Sequence, residues 1–169
     1  MELPLVKLTV EPLRIQRVIA DVGRDLGYES ITTEQADAIT AFLRGRDVLI
    51  CLPTGSGKSL CFALLPKVVD ALKAAVGVKF QRPSMLVVIS PLISLMEDQV
   101  ARFSAIGIPS IATKGRDNLD SVRRGEYQLI FMSPEALFDI RNQDMLRSEV
   151  YQEYLIGLAV DEAHCIKEW

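Results

Sequence analysis

An α/β fold with a parallel sheet flanked by helices is predicted for this chain. Helical and strand-like patterns alternate along its 169 residues, the order that βαβ units produce. The strand candidates are largely unbroken apolar runs, as parallel strands covered on both faces should be. Two of those runs stop abruptly in loops dense with polar chemistry, near residues 53–59 and 161–164. Ligand-binding loops in open α/β sheets follow the carboxyl ends of strands.

Residues 13–26 carry Ile15, Val18, Ile19, Val22 and Leu26 at helical spacing. Thr32-Thr33-Glu34-Gln35 is a capping-box sequence, opening a helix that ends at Gly45. Residues 47–52 form the first strand candidate. A helix starts at the Gly-rich turn and meets Pro66, which should kink it or begin a new segment. Lys73 to Ser84 contains a polar loop, Met85 to Ser90 is a buried-strand run, and Pro91 to Gly107 is an amphipathic helix. Further strands are expected at Ile108 to Ala112, Gln128 to Ser133 and Ile156 to Val160. Further helical segments fall near 118–124 and 134–154. The chain shows no repeat, low-complexity tract or linker.

The turn after the first strand candidate reads Thr54-Gly55-Ser56-Gly57-Lys58-Ser59. Nucleotide phosphates need several backbone N–H groups converging on them, and small residues let the main chain come that close. Gly55 and Gly57 give that freedom. Lys58 provides a point charge for the β- and γ-phosphates, and Ser59 a hydroxyl for Mg²⁺. The strict G-x-x-x-x-G-K-[ST] pattern is not met, because Leu52 stands at the first glycine position. The second element is Asp161-Glu162-Ala163-His164 after an apolar run. Asp161 is suited to hold Mg²⁺, directly or through water, and Glu162 to orient and deprotonate an attacking water. An isolated Asp-Glu pair could equally be a polar turn, but here it follows a phosphate loop. Together the two elements point to a P-loop NTPase that binds nucleoside triphosphate, or descends from one that did.

Bulk properties narrow the class. A 49% hydrophobic and 24% charged chain is globular rather than disordered. No apolar run approaches the ~18 residues of a membrane span, and the start lacks the pattern of a secretory signal, so no membrane partner is expected. Cys51, Cys61 and Cys165 stand in apolar contexts without metal-ligand spacing, which suggests reduced, buried thiols in an intracellular protein. A net charge of −3 gives no overall electrostatic footprint for nucleic acid.

Four segments, Leu49 to Phe62 (LICLPTGSGKSLCF), Val88 to Val100 (VISPLISLMEDQV), Phe131 to Glu135 (FMSPE) and Asp161 to Ile166 (DEAHCI), together resemble the RecQ-type DNA helicases of superfamily 2. The resemblance runs from about Gly27 to Trp169. It implies a RecA-like P-loop NTPase domain over 27–169, C-terminally incomplete, after a helical lead-in over 1–26. It also implies ATP with Mg²⁺, and DNA at a single-strand/duplex junction as the partner. A nuclear location would suit a eukaryotic source.

By resemblance, Thr54, Gly55, Ser56, Gly57, Lys58 and Ser59 bind the nucleotide, with Ser59 and Asp161 holding the metal. Lys58, Asp161 and Glu162 carry the catalysis. Tyr28 and Gln35 match the adenine-recognition segment, where Gln35 could bond the adenine edge and Tyr28 stack on its face. Gln35 is equally well explained as the third residue of the capping box. Ile31, Thr32 and Thr33 replace the family's usual Phe, Arg and Pro there. Ser90, Ser94 and Gln99 match the segment that faces the DNA backbone, although Ser94 and Gln99 would also suit the solvated face of a helix. His164 is implied to couple ATP state to DNA, and Trp169 to begin an aromatic loop that stacks on bases.

The family continues beyond motif II with a motif III strand and a second RecA-like domain, missing from this chain, that supplies an arginine to the ATP site. In RecA-like sheets the motif III strand lies between the phosphate-loop strand and the motif II strand. Unpaired edges and marginal stability are therefore expected of these residues in isolation. The alternative to a helicase fragment is a non-enzymatic nucleotide- or DNA-binding module that docks on, or competes with, a full-length helicase.

Overall fold

The computed structural model describes residues 11–53, 55–113 and 119–163. The chain divides into two compact units, one ending at Gln81 and the other beginning at Arg82.

The first unit is helical. Helices α1 (Pro12–Asp25), α2 (Thr33–Leu43), α3 (Lys58–Ala63) and α4 (Leu65–Ala75) follow one another along the chain. Pro12 opens α1 where a missing N–H costs nothing, and the helix packs Ile15 and Ile19 inward, against α2 and α4. The capping box at α2 forms as the sequence predicts, with Thr32 and Gln35 bonding each other reciprocally. The break expected at Pro66 is also present: Leu64 separates α3 from α4, and Pro66 sits in the first turn of α4. Both helices bury apolar side chains, among them Leu60, Phe62, Val68 and Leu72. Each such burial stabilises the fold by about 1.5–3 kcal/mol.

The strand expected over 47–52 does not form. These residues have no regular structure, and Val48 and Leu49 are exposed. An apolar run becomes a strand only when a neighbour satisfies its N–H and C=O groups, and no described strand pairs with it. For the same reason Cys51, expected inside, is exposed, whereas Cys61 on α3 is buried. Burial pushes the Cys61 thiol pKa up.

The second unit holds the sheet. Strands β1 (Met85–Ile89), β2 (Ser110–Ala112), β3 (Leu129–Met132) and β4 (Leu155–Val160) alternate with α5 (Ile93–Ala105), α6 (Leu119–Arg123), α7 (Pro134–Phe138), α8 (Ile140–Leu146) and α9 (Glu149–Tyr154). The order is β2-β3-β1-β4 and every pairing is parallel. Val87 in central β1 stands beside Ile130 on one side and Leu158 on the other. All five residues of β1 are buried, which explains its unbroken apolar sequence.

One helical segment was expected over 134–154, and three short helices occupy it. Each starts at a residue suited to an N-cap: Ser133, Asp139 and Ser148. Ser133 Oγ accepts from the Ala136 N–H, and Asp139 Oδ1 from the Arg141 N–H. The Arg141 side chain also bonds Asp139 and, as the largest influence, holds its carboxyl down at about 2. Tyr151 on α9 is fully buried, with its hydroxyl donating to the Val122 carbonyl at 2.9 Å. Burial pushes that phenol well above its ordinary pKa.

The outer edge of β4 pairs with no described residue, and Leu158 and Val160 are 44% and 43% exposed. A parallel strand with an open edge and exposed apolar side chains is a template for further pairing.

Candidate active site

The phosphate loop lies in the first unit. Gly55 and Gly57 take φ values of 84° and 79°, in the left-handed region where a side chain is strained. A Cβ on Gly57 would also meet Gln35 Nε2 at 2.7 Å. Ser56 turns the loop back, its N–H and Oγ both donating to the Pro53 carbonyl, at 3.2 and 2.7 Å. Lys58 starts α3 and folds its ammonium under the loop, donating to the carbonyls of Leu52 at 2.9 Å and Pro53 at 3.0 Å. An ammonium has three protons, so one remains for an incoming oxygen. Lys58 and Ser59 occupy the first turn of α3, where backbone N–H groups lack intrahelical acceptors and favour an anion. Thr54 lies outside the described residues.

Gln35 is buried and its amide is fully engaged. Oε1 accepts from the Thr32 N–H at 3.0 Å, while Nε2 donates to the carbonyls of Ser56 at 3.2 Å and Gly57 at 3.3 Å. Of the two roles open to it in the sequence, the cap is formed. The amide also ties α2 to the phosphate loop, a contact that the sequence pattern did not announce. Tyr28 is half-buried just after α1, its N–H donating to the Gly23 carbonyl at 3.0 Å.

The acidic turn lies in the second unit, at the carboxyl end of β4. The Asp161 N–H donates to the Ile89 carbonyl at 2.9 Å, which extends the β1–β4 ladder and fixes the backbone beneath the carboxylate. Asp161 Oδ1 accepts from the Glu162 N–H at 3.1 Å, and Oδ2 from Gln99 Nε2 at 2.6 Å. One hydrogen bond to each oxygen leaves lone pairs free. A carboxylate of this kind belongs to the hard oxygen donors that Mg²⁺ takes. Glu162 has φ 53°, the sole positive value at a non-glycine among the described residues. Such a conformation costs of order 1 kcal/mol or more and concentrates at functional turns.

The residues expected to face DNA separate in the structure. Ser94 is exposed on α5. Ser90 and Gln99 are buried, at 0% and 6% exposure, so Gln99 does not lie on the solvated face of α5. The cause is local. Ser90 continues β1 by donating its N–H to the Met132 carbonyl at 3.0 Å, and Gln99 falls on the inner stripe of α5 with Met96 and Phe103. His164 and Trp169 lie outside the described residues.

The family model described as DEAD/DEAH box helicase matches residues 32–169, which takes in the phosphate loop and the acidic turn and leaves out Tyr28. The chain belongs to the DEAD/DEAH box helicase family. Within that family its relatives include RecQ-type helicases. The ATP-dependent DNA helicase RecQ of Haemophilus influenzae is 31% identical over 176 residues, covering 100% of this chain and 25% of that protein. The probable ATP-dependent DNA helicase RecS of Bacillus subtilis is 34% identical over 151 residues, covering 85% and 27%. The ATP-dependent DNA helicase Q5 of Rattus norvegicus is 34% identical over 167 residues, covering 92% and 16%. This helicase chain thus spans about a quarter or less of the length of these relatives. A crystal structure of the DUF1998 helicase MrfA bound to DNA and AMPPNP matches with a TM-score of 0.66 at 20% identity, covering 87% of this chain and 21% of that one. That likeness shows a shared fold.

Proposed function

We propose that this chain is the ATP- and DNA-engaging part of a RecQ-type helicase, one that couples ATP hydrolysis to 3′-to-5′ strand separation. The observation that carries the proposal is a phosphate loop at Gly55–Ser59 and an acidic turn at Asp161–Glu162 inside one helicase-family match. Residues 27–169 form part of the first motor domain, with the segment before them as a lead-in.

The loop N–H groups and Lys58 Nζ take the charge on the phosphate oxygens. Ser59 and Asp161 offer oxygens to Mg²⁺, and when bound, that ion neutralises charge on the β- and γ-phosphates. Glu162 orients the attacking water and accepts its proton. Gln35 holds the loop against α2 and, by exchanging its loop carbonyls for base edges, reads adenine beside Tyr28. Ser94 contacts the DNA backbone, and His164 and Trp169 link DNA to the nucleotide.

Full turnover needs a second RecA-like domain, whose arginine is worth on the order of 10³–10⁵ in rate in comparable NTPases. These 169 residues alone therefore act poorly as a motor. The work is intracellular, in DNA repair and recombination, and nuclear in a eukaryotic cell.

The test is phosphate release by the native-length polypeptide with and without single-stranded DNA. Hydrolysis is expected to rise severalfold with DNA, because DNA closure completes the site. A rate indifferent to DNA would remove the DNA-motor assignment while leaving an ATPase.

A further inference from the structure

We propose that Gln99 is a positioning residue for Asp161, holding its carboxylate in the orientation that a metal ion needs. The inference rests on the assignment of Asp161 to Mg²⁺ made above. The buried stripe of α5 is Met96, Gln99 and Phe103, two apolar residues and one amide. A buried amide is costly unless it is bonded, so Gln99 must serve a partner there.

That partner is Asp161, whose Oδ2 lies 2.6 Å from Gln99 Nε2. The amide orientation is determined by chemistry, because the reverse would press two acceptor oxygens together. Gln99 Oε1 has no partner among the described residues, so the glutamine spends its hydrogen bonding on the carboxylate. The Glu162 N–H holds the other oxygen, and the carboxylate plane is fixed at both ends. Both donors are neutral. They orient Asp161 without cancelling the charge that attracts a cation, as a lysine or arginine would.

The experiment uses the native-length polypeptide and a fluorescent, non-hydrolysable ATP analogue titrated with Mg²⁺. Gln99→Met keeps the volume and removes the donor. It should raise the Mg²⁺ midpoint roughly tenfold or more, the usual effect of losing a residue that orients a metal ligand, with metal-free nucleotide affinity unchanged. Asp161→Asn should abolish the metal dependence. A wild-type midpoint in Gln99→Met, with the dependence lost in Asp161→Asn, would overturn the role of Gln99 and leave Asp161 as a ligand. A wild-type midpoint in Asp161→Asn would overturn both. A second readout needs no variant: the Gln99 side-chain amide resonance should shift as Mg²⁺ is added with nucleotide. An unmoved resonance would also overturn the proposal.

Discussion

Lys58→Ala is expected to weaken ATP-analogue binding by roughly 30-fold to several thousand-fold, the equivalent of about 2–5 kcal/mol for truncating one partner of a desolvated charge pair. Two losses combine. The phosphates lose their cation, and the loop loses the two bonds by which Lys58 Nζ holds the carbonyls of Leu52 and Pro53. Because Lys58 also shapes the loop, calorimetric binding should be paired with a melting curve, which separates nucleotide affinity from folding. Unchanged affinity in a folded variant would contradict the assignment of the loop.

Glu162→Gln should do the opposite, sparing nucleotide binding and lowering hydrolysis by roughly 10²–10⁴-fold, the range for a general base. Glutamine is nearly isosteric with glutamate, so it can occupy the same turn at φ 53° and keep the Asp161–Glu162 backbone bond. What it cannot do is accept a proton from water. Single-turnover phosphate release by the native-length variant reads this directly. Turnover equal to the parent would show that another group activates the water.

Local chemistry was the legible part of this sequence. Thr32 and Gln35 form the capping box that their spacing announced, and the break before Pro66 falls where a proline forces it. Apolar runs at β1, β3 and β4 became strands because each found a neighbour. Residues 47–52 carry the same signal and have no described partner strand, so pattern alone misplaced them and Cys51 with them. The segment 134–154 is helical as its pattern predicts, but it breaks into three helices capped at Ser133, Asp139 and Ser148. The phosphate loop and the acidic turn stood out because glycines before a lysine suit phosphate binding and paired carboxylates suit metal and water chemistry. Gln99 was harder. It matches a DNA-facing segment by resemblance and would also suit a solvated helix face, and neither reading placed it in the buried stripe of α5 beside Asp161. Gln35 likewise showed its cap in the sequence, while its bonds to the phosphate loop depend on a contact between residues 21 and 22 positions apart.

The measurement that bears most directly on the helicase assignment is strand separation by the native-length polypeptide on duplexes tailed at either the 3′ or the 5′ end. ATP-dependent release of the strand from 3′-tailed duplex, absent with Lys58→Ala, is the expected result. Release without ATP, or none from either duplex in a preparation that hydrolyses ATP, would contradict it. Release from the 5′-tailed duplex alone would reverse the proposed polarity.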